Sequence, residues 1–298
     1  VRKGRRSGST PARFAVAALV VAVALSGATG CRREPPVTDG LSGTLVIRGS
    51  DTLVNLSAAW AEAFMELNPG VQVSVSGGGS STGFAALIDG SGDLANASRP
   101  IKSSERQALE TKGKPAVEHV VALDAVTMIV NPSNPLESLT MGQLADILTG
   151  RVTNWRQVGG SDQAITVYSR ETSSGTYAFV REHVMGNEDY VASARLMPST
   201  ESVLQAVAQD RGGLGYIGMG YLTPAVKALK LAPTADATPV EATEENAVSG
   251  AYPLARPLYV YSAGEPGEIA RAFIEFATSE AGRRIAVEMG FVPPPEGG

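Results

Sequence analysis

Histidine and cysteine are nearly absent: among 298 residues there are two histidines and one cysteine. A single thiol excludes a disulfide within the chain. Two histidines and one cysteine also leave no nitrogen and sulfur ligand set for a zinc-type centre. Aromatic residues make up 6% and charged residues 18%. The apolar run FAVAALVVAVAL, residues 14 to 25, falls short of the roughly 20 residues that span a bilayer comfortably. No G-x-x-x-x-G-K-[S/T] occurs, and GGGSSTG lacks the G-x-G-x-x-G spacing, so neither a P-loop nor a dinucleotide fingerprint is present. No cofactor is expected. Apolar residues reach 43%, enough for a sizeable core and inconsistent with wholesale disorder.

Acid is also lacking at the start. Arg2, Lys3, Arg5, Arg6 and Arg13 precede and flank the apolar run, small residues follow it, and Cys31 comes next. A basic start, a short apolar middle and a small-residue end describe an export signal over residues 1–30; an uncleaved anchor helix is the alternative. The lone cysteine after it resembles the lipobox of bacterial lipoproteins, with Ala28 where leucine is usual. Cys31 is therefore the expected lipidation site, on the extracytoplasmic face of the cell envelope. Residues 31–42 read as a polar tether. Of the 25 basic residues five belong to the signal, so the remainder carries 30 acids against about 20 bases. That balance argues against a nucleic-acid partner, which needs a broad basic face. Any anion site must be built from a few aimed donors.

From residue 43 onward, period-two apolar runs alternate with helical periodicity. GTLVIRG, VQVSVSG, DLANAS, VVALDAVTMIVNP, ITVYSR, GLGYIGMG, LKLAP and PLYVYS read as strands. Residues 53–68, STGFAALIDG, SSERQALETKG, LTMGQLADILTG, SGTYAFVREHV, ESVLQAVAQD and two segments between 267 and 289 read as helices. The alternation predicts an α/β fold with mainly parallel sheets in two lobes.

Four stretches carry hydroxyl and glycine residues between a strand end and a helix start. They are GSDT at 49–52, SGGGSSTG at 76–83, ASRP at 97–100 and SRETSSGT at 169–176. A helix N-terminus offers unpaired N–H groups and a partial positive charge; hydroxyls and an arginine complete an oxyanion cradle. Ligands of open α/β sheets bind at the carboxyl ends of strands, where these stretches fall. Each stretch alone also reads as an ordinary cap or turn. Residues 79–83 fit G-x-S-x-G, the nucleophile elbow of a secreted serine hydrolase. The only histidines for a triad, His119 and His183, are read as surface residues.

Taken in order, GSDTLVNLSAAWAEAF, SVSGGGSSTGFAALIDGSGDLANASRPI, VALDAVTMIVNPSNPLESLT, SRETSSGTY, GGLGYIGMGY and AYPLARPLYVYS resemble the phosphate-binding proteins of ABC phosphate importers, the PstS family. The resemblance implies a two-lobed type II periplasmic-binding-protein fold with the ligand in the interlobe cleft. Residues 43–122 plus 258–298 would form lobe 1 and residues 123–257 lobe 2. Hinge crossings are expected near 122–126 and 252–257, and each lobe is expected to give two of the four turns, or nearly so. It implies capture of inorganic phosphate for an ABC permease, without catalysis; a monomer is the default expectation. The contacts it implies are Ser50, Asp51 and Thr52; Ser80 and Ser81; Ser98 and Arg99; and Arg170, Ser174, Gly175 and Thr176. Arg99 stands where some members have an aspartate that accepts the proton of hydrogen phosphate, and Asp51 is the expected replacement. The same cradle could take another tetrahedral oxyanion such as sulfate, arsenate or a phosphonate.

Overall fold

The computed structural model describes residues 40–294; the expected signal and Cys31 lie outside them. The chain runs β1 (Ser42–Gly49), α1 (Asp51–Leu67), β2 (Gly70–Ser76), α2 (Ser80–Asp89), β3 (Leu94–Ala97), α3 (Ser103–Thr111), β4 (Ala116–Val130), β5 (Ser138–Thr140), α4 (Met141–Leu148), β6 (Thr166–Arg170), α5 (Gly175–His183), β7 (Arg195–Met197), α6 (Thr200–Gln209), β8 (Gly213–Gly218), β9 (Lys227–Ala232), α7 (Glu244–Val248), β10 (Ala255–Ala263), α8 (Glu268–Thr278) and α9 (Glu280–Glu288). Every strand and helix read from periodicity is present. The three-residue strands β5 and β7 and the five-residue α7 carry too few residues to display a period.

The sheet order is β2-β1-β3-β10-β4-β8-β6-β7, with β9 pairing β4 and β5. The expectation of mainly parallel pairing needs correction. The flanks are parallel, β1 with β2 and β3, and β6 with β7 and β8. The middle is antiparallel, because β10 returns from the end of the chain to lie between β3 and β4, and β4 pairs antiparallel with β8 and β9. β4 changes partner along its length: it pairs with β10 from Ala116 to Ala125, and from Val126 with β8.

Helix α1 buries Leu53, Leu56, Trp60 and Phe64, a spacing of three and four that keeps one face apolar. The C-terminal helices dock on that face. Phe64 meets Phe273 edge-on at 5.5 Å, and Trp60 Nε1 donates to Gly282 O at 2.9 Å. Each such fully buried large side chain stabilises the fold by about 1.5–3 kcal/mol relative to exposure. The C-terminal helices α8 and α9 thus pack on α1, near the start of the fold. The largest apolar cluster joins Leu45, Ile47 and Leu53 to Leu204, Val207 and Ile217, so it runs across the expected lobe boundary. A second cluster, containing Val126, Leu144, Trp155 and Tyr216, draws almost wholly on residues 125–254.

Candidate functional site

The carboxyl ends of β1, β3 and β6 lead into the first turns of α1, α3 and α5, and β2 leads into α2. Three of the four hydroxyl-rich stretches come from residues before 122 and one from after, so the expected even split is not seen. They nevertheless meet. Thr52 Oγ1 lies 3.0 Å from Thr176 Oγ1, Ser98 Oγ is 3.5 Å from Thr176 Oγ1, and Ser80 Oγ is 3.4 Å from Ser98 Oγ. Ser98 N–H donates to Ser80 Oγ at 3.1 Å. All four side chains are buried. Four buried hydroxyls linked in a chain, three in the first turns of α1, α2 and α5 and one just past β3, form a cluster of orientable donors.

Glycine makes the approach possible at two points. A Cβ on Gly175 would stand 2.2 Å from Ser80 Oγ and 2.6 Å from Ser98 Oγ. Gly79 has φ +95°, and a Cβ there would meet Ser173 O at 2.5 Å. The α2 turn is therefore pressed backbone to backbone against the α5 turn, with Ser81 N–H donating to Ser173 O at 3.1 Å. Neither Ser50 nor Gly79 caps its helix with a side chain; Leu53 and Thr82 N–H turn back to Ser50 O and Gly79 O, which leaves the N–H groups of Asp51, Thr52 and Ser80 to take an acceptor. At α5, Ser174 Oγ accepts from Tyr177 N–H at 3.3 Å. Ser174 is thus used as a cap, with its own proton left to donate.

The arginines differ. Arg170 Nη2 donates to Asp51 Oδ2 at 2.6 Å and to Pro198 O at 2.9 Å; Nε donates to Met197 O and Nη1 to Thr200 Oγ1. Asp51 Oδ1 accepts from Gly78 N–H at 3.1 Å. Asp51 therefore ties α1, the α2 turn and β6 together. Arg99 turns away from the hydroxyl cluster: Nη1 and Nη2 both donate to Glu105, at 2.9 and 2.7 Å, and Nη2 also to Ser81 Oγ at 3.1 Å. It lies over the Phe84 ring at 5.0 Å. Ser81 accordingly faces Arg99.

Sequence reasoning missed Arg256. It is buried on β10, donates from Nε and Nη2 to Asp124 Oδ2 at 3.2 and 2.8 Å, and reaches Thr176 Oγ1 at 3.0 Å. Burial lowers its pKa, and the Asp124 carboxylate opposes that shift. The available signal was one opposite charge in each of two otherwise apolar strand runs, VALDAV and ARPLYVY.

The hydrolase alternative finds no support here. Among the described residues neither histidine is hydrogen-bonded to Ser80 or Ser81. His183 Nδ1 is 3.0 Å from Phe179 O and its ring stacks on Phe179; His119 lies on β4 opposite Val260.

Residues 35–281 match the PBP superfamily domain. The chain is 34% identical over 299 residues to "Phosphate-binding protein PstS" of Pseudomonas aeruginosa PAO1, covering 95% of this chain and 93% of that protein. It is 33% identical to the protein of the same name from Bacillus subtilis 168, covering 85% and 81%. Among solved structures, a Clostridium perfringens protein described as a phosphate ABC transporter substrate-binding protein, with bound phosphate, superimposes with a TM-score of 0.78 at 31% identity, covering 85% of this chain and all of that one. An ABC-type phosphate transport receptor from Vibrio cholerae gives 0.68 at 31%, covering 84% and 100%. With the strand-end cradle built as described and these relatives spanning nearly its whole length, the chain belongs to the PstS family, with the type II periplasmic-binding-protein fold.

Proposed function

We propose that this chain captures inorganic phosphate outside the cytoplasm and delivers it to an ABC import permease, without catalysing a reaction. One observation carries the reading: the hydroxyls of Thr52, Thr176, Ser98 and Ser80 follow one another in a chain with successive separations of 3.0, 3.5 and 3.4 Å, beside buried arginines and helix N-termini. Few arrangements other than an oxyanion site use so many buried donors at once. Its relatives named for phosphate binding supply the anion's identity.

The proposed ligand set is Thr52, Ser80, Ser98, Arg170, Gly175 and Thr176, with Ser50 and Asp51 at the α1 terminus. Ser81 and Arg99 support that set from behind, since the Arg99 Nη atoms are engaged with Glu105 and Ser81; Ser174 caps α5 and adds its free hydroxyl proton to the set. Asp51 has a double role in this reading: it aims Arg170, and its remaining lone pairs accept the proton of hydrogen phosphate, which sulfate lacks. Lobes of 43–122 plus 258–298 and 123–257 would close on the anion about the crossings near 122–126 and 252–257. The partner change of β4 after Ala125 supports the first crossing. Lipidation at Cys31 would hold a monomer at the membrane's outer face, and mass spectrometry of membrane-extracted protein tests it.

The function is tested by calorimetric titration of ligand-stripped protein with phosphate and, separately, sulfate. One-to-one binding of phosphate with no sulfate heat is expected. Binding of both anions alike would remove the proton-reading role of Asp51, and binding of neither would overturn the reading.

A further inference from the structure

Arg256 lies directly opposite Asp124 in the antiparallel register of β10 and β4. Their side chains are 2% and 0% exposed. A buried pair often adds little net stability, yet stranding either partner is costly. This pair does not close on itself. Asp124 Oδ1 accepts Met219 N–H at 3.0 Å. Arg256 Nη1 donates to Ser98 O at 2.9 Å, and Nη2 donates to Thr176 Oγ1 at 3.0 Å with Thr52 Oγ1 at 3.5 Å. The guanidinium thus touches residues at the start of α1, the end of β3 and the start of α5.

A hydroxyl has one proton and two acceptor positions. With a guanidinium N–H on Thr176 Oγ1, that oxygen is used as an acceptor from behind and its proton must point elsewhere. Without a cation there, the four hydroxyls could satisfy one another in either direction, and some would aim lone pairs at an incoming anion. We propose that Arg256, balanced by Asp124, is an affinity-determining residue of the anion site: it fixes the hydroxyls of Thr176 and Thr52 as donors and brings a second cation to the cradle from a strand outside the four turns. This rests on the reading of the cradle as a phosphate site. The pair also sits one rung before the end of the β4–β10 ladder, at Ala125 and Ala255. The strand that carries the cation is therefore joined to the segment where β4 changes partner.

The test is a double-mutant cycle read by phosphate calorimetry, with thermal unfolding as the folding control. Arg256→Lys keeps the charge and loses the fork; Thr176→Val removes its target; the two are then combined. Arg256→Lys is expected to weaken phosphate binding by about 10- to 100-fold in the wild-type background, the range for a hydrogen bond to a charged group. In the Thr176→Val background the same change should cost severalfold less. The neutral pair Arg256→Gln with Asp124→Asn strands no charge, and it should weaken phosphate by at least as much as Arg256→Lys. Additive effects in the cycle, or a folded neutral-pair protein that binds phosphate as the wild type does, would overturn the proposal. If the neutral pair does not fold, the cycle decides. Wild-type protein that binds no phosphate would instead refute the functional reading on which this one stands.

Discussion

Asp51→Asn separates the two roles of one carboxylate. Asp51 Oδ2 takes Arg170 Nη2 at 2.6 Å, with side-chain exposures of 11% and 2%, and Oδ1 takes Gly78 N–H at 3.1 Å. Asparagine keeps one carbonyl oxygen for Gly78, but its amide nitrogen then faces Arg170, donor against donor. Breaking a buried pair from one side costs about 3–5 kcal/mol. Arg170 retains Met197 O, Pro198 O and Thr200 Oγ1, so the low end applies. For a domain of this size, about 3 kcal/mol corresponds to a fall in Tm of about 6–12 °C. The guanidinium left without its counterion should make phosphate a stronger stabiliser of the variant than of the wild type. Thermal unfolding with and without phosphate measures both effects. An unchanged Tm would refute the ion-pair reasoning. Calorimetry with sulfate reads the second role. A carboxylate facing fully ionised sulfate sets two unpaired acceptors against each other, so its removal should admit sulfate, and continued exclusion would sink the acceptor role while leaving the positional one.

Three further perturbations probe other links. Gly175→Ala puts a Cβ 2.2 Å from Ser80 Oγ; overpacking of about 1–3 kcal/mol should weaken phosphate binding roughly 5- to 150-fold by displacing that hydroxyl, and wild-type affinity in calorimetry would mean that Ser80 is not a ligand. Glu105→Gln breaks the Arg99 pair, 2.7 Å with exposures of 6% and 14%; Tm should fall while phosphate affinity changes far less than in Arg170→Lys, and the reverse ranking would return Arg99 to the ligand set. Burial lowers the His119 pKa from 6.5, with Glu118 and Glu265 opposing. The native state then binds fewer protons than the unfolded one just below that value, so stability falls as pH drops below about 6.5; denaturant titrations of His119→Gln should lack that part of the slope.

The cradle was legible because its chemistry is local. Hydroxyls and glycines between a strand end and a helix start can be read from eight residues, and SRETSSGT announces itself. Arg256 could not be read that way. In ARPLYVYS it occupies one position of an alternating strand, where a charge ordinarily points to water; only the insertion of β10 beside β4 turns it inward against Asp124. The same insertion explains the error about the sheet. Local alternation of strand and helix implies parallel neighbours, and nothing in residues 255–263 says that the strand will cross back between β3 and β4. Arg99 is the opposite case. Its position beside a strand end was right, but its charge is spent on Glu105, the acid already visible in SSERQALETKG as the start of α3.

Charge bookkeeping around the site then says where affinity must come from. Arg170 is matched by Asp51, Arg256 by Asp124 and Arg99 by Glu105. Each buried cation near the cradle already has its own carboxylate, in a chain whose overall charge is negative. A phosphate dianion therefore meets almost no net positive charge. Its stabilisation has to come from aimed dipoles: the first turns of α1, α2 and α5 and the hydroxyls of Thr52, Ser80, Ser98 and Thr176. Dipoles act only at hydrogen-bond range, whereas a net charge attracts any anion over about a Debye length. Such a site recognises an anion by the number and direction of its oxygens, and its affinity should respond weakly to added salt. A titration series in rising sodium chloride measures this. A steep loss of phosphate affinity between low and physiological salt would mean that one of the three pairs opens to present an unbalanced cation.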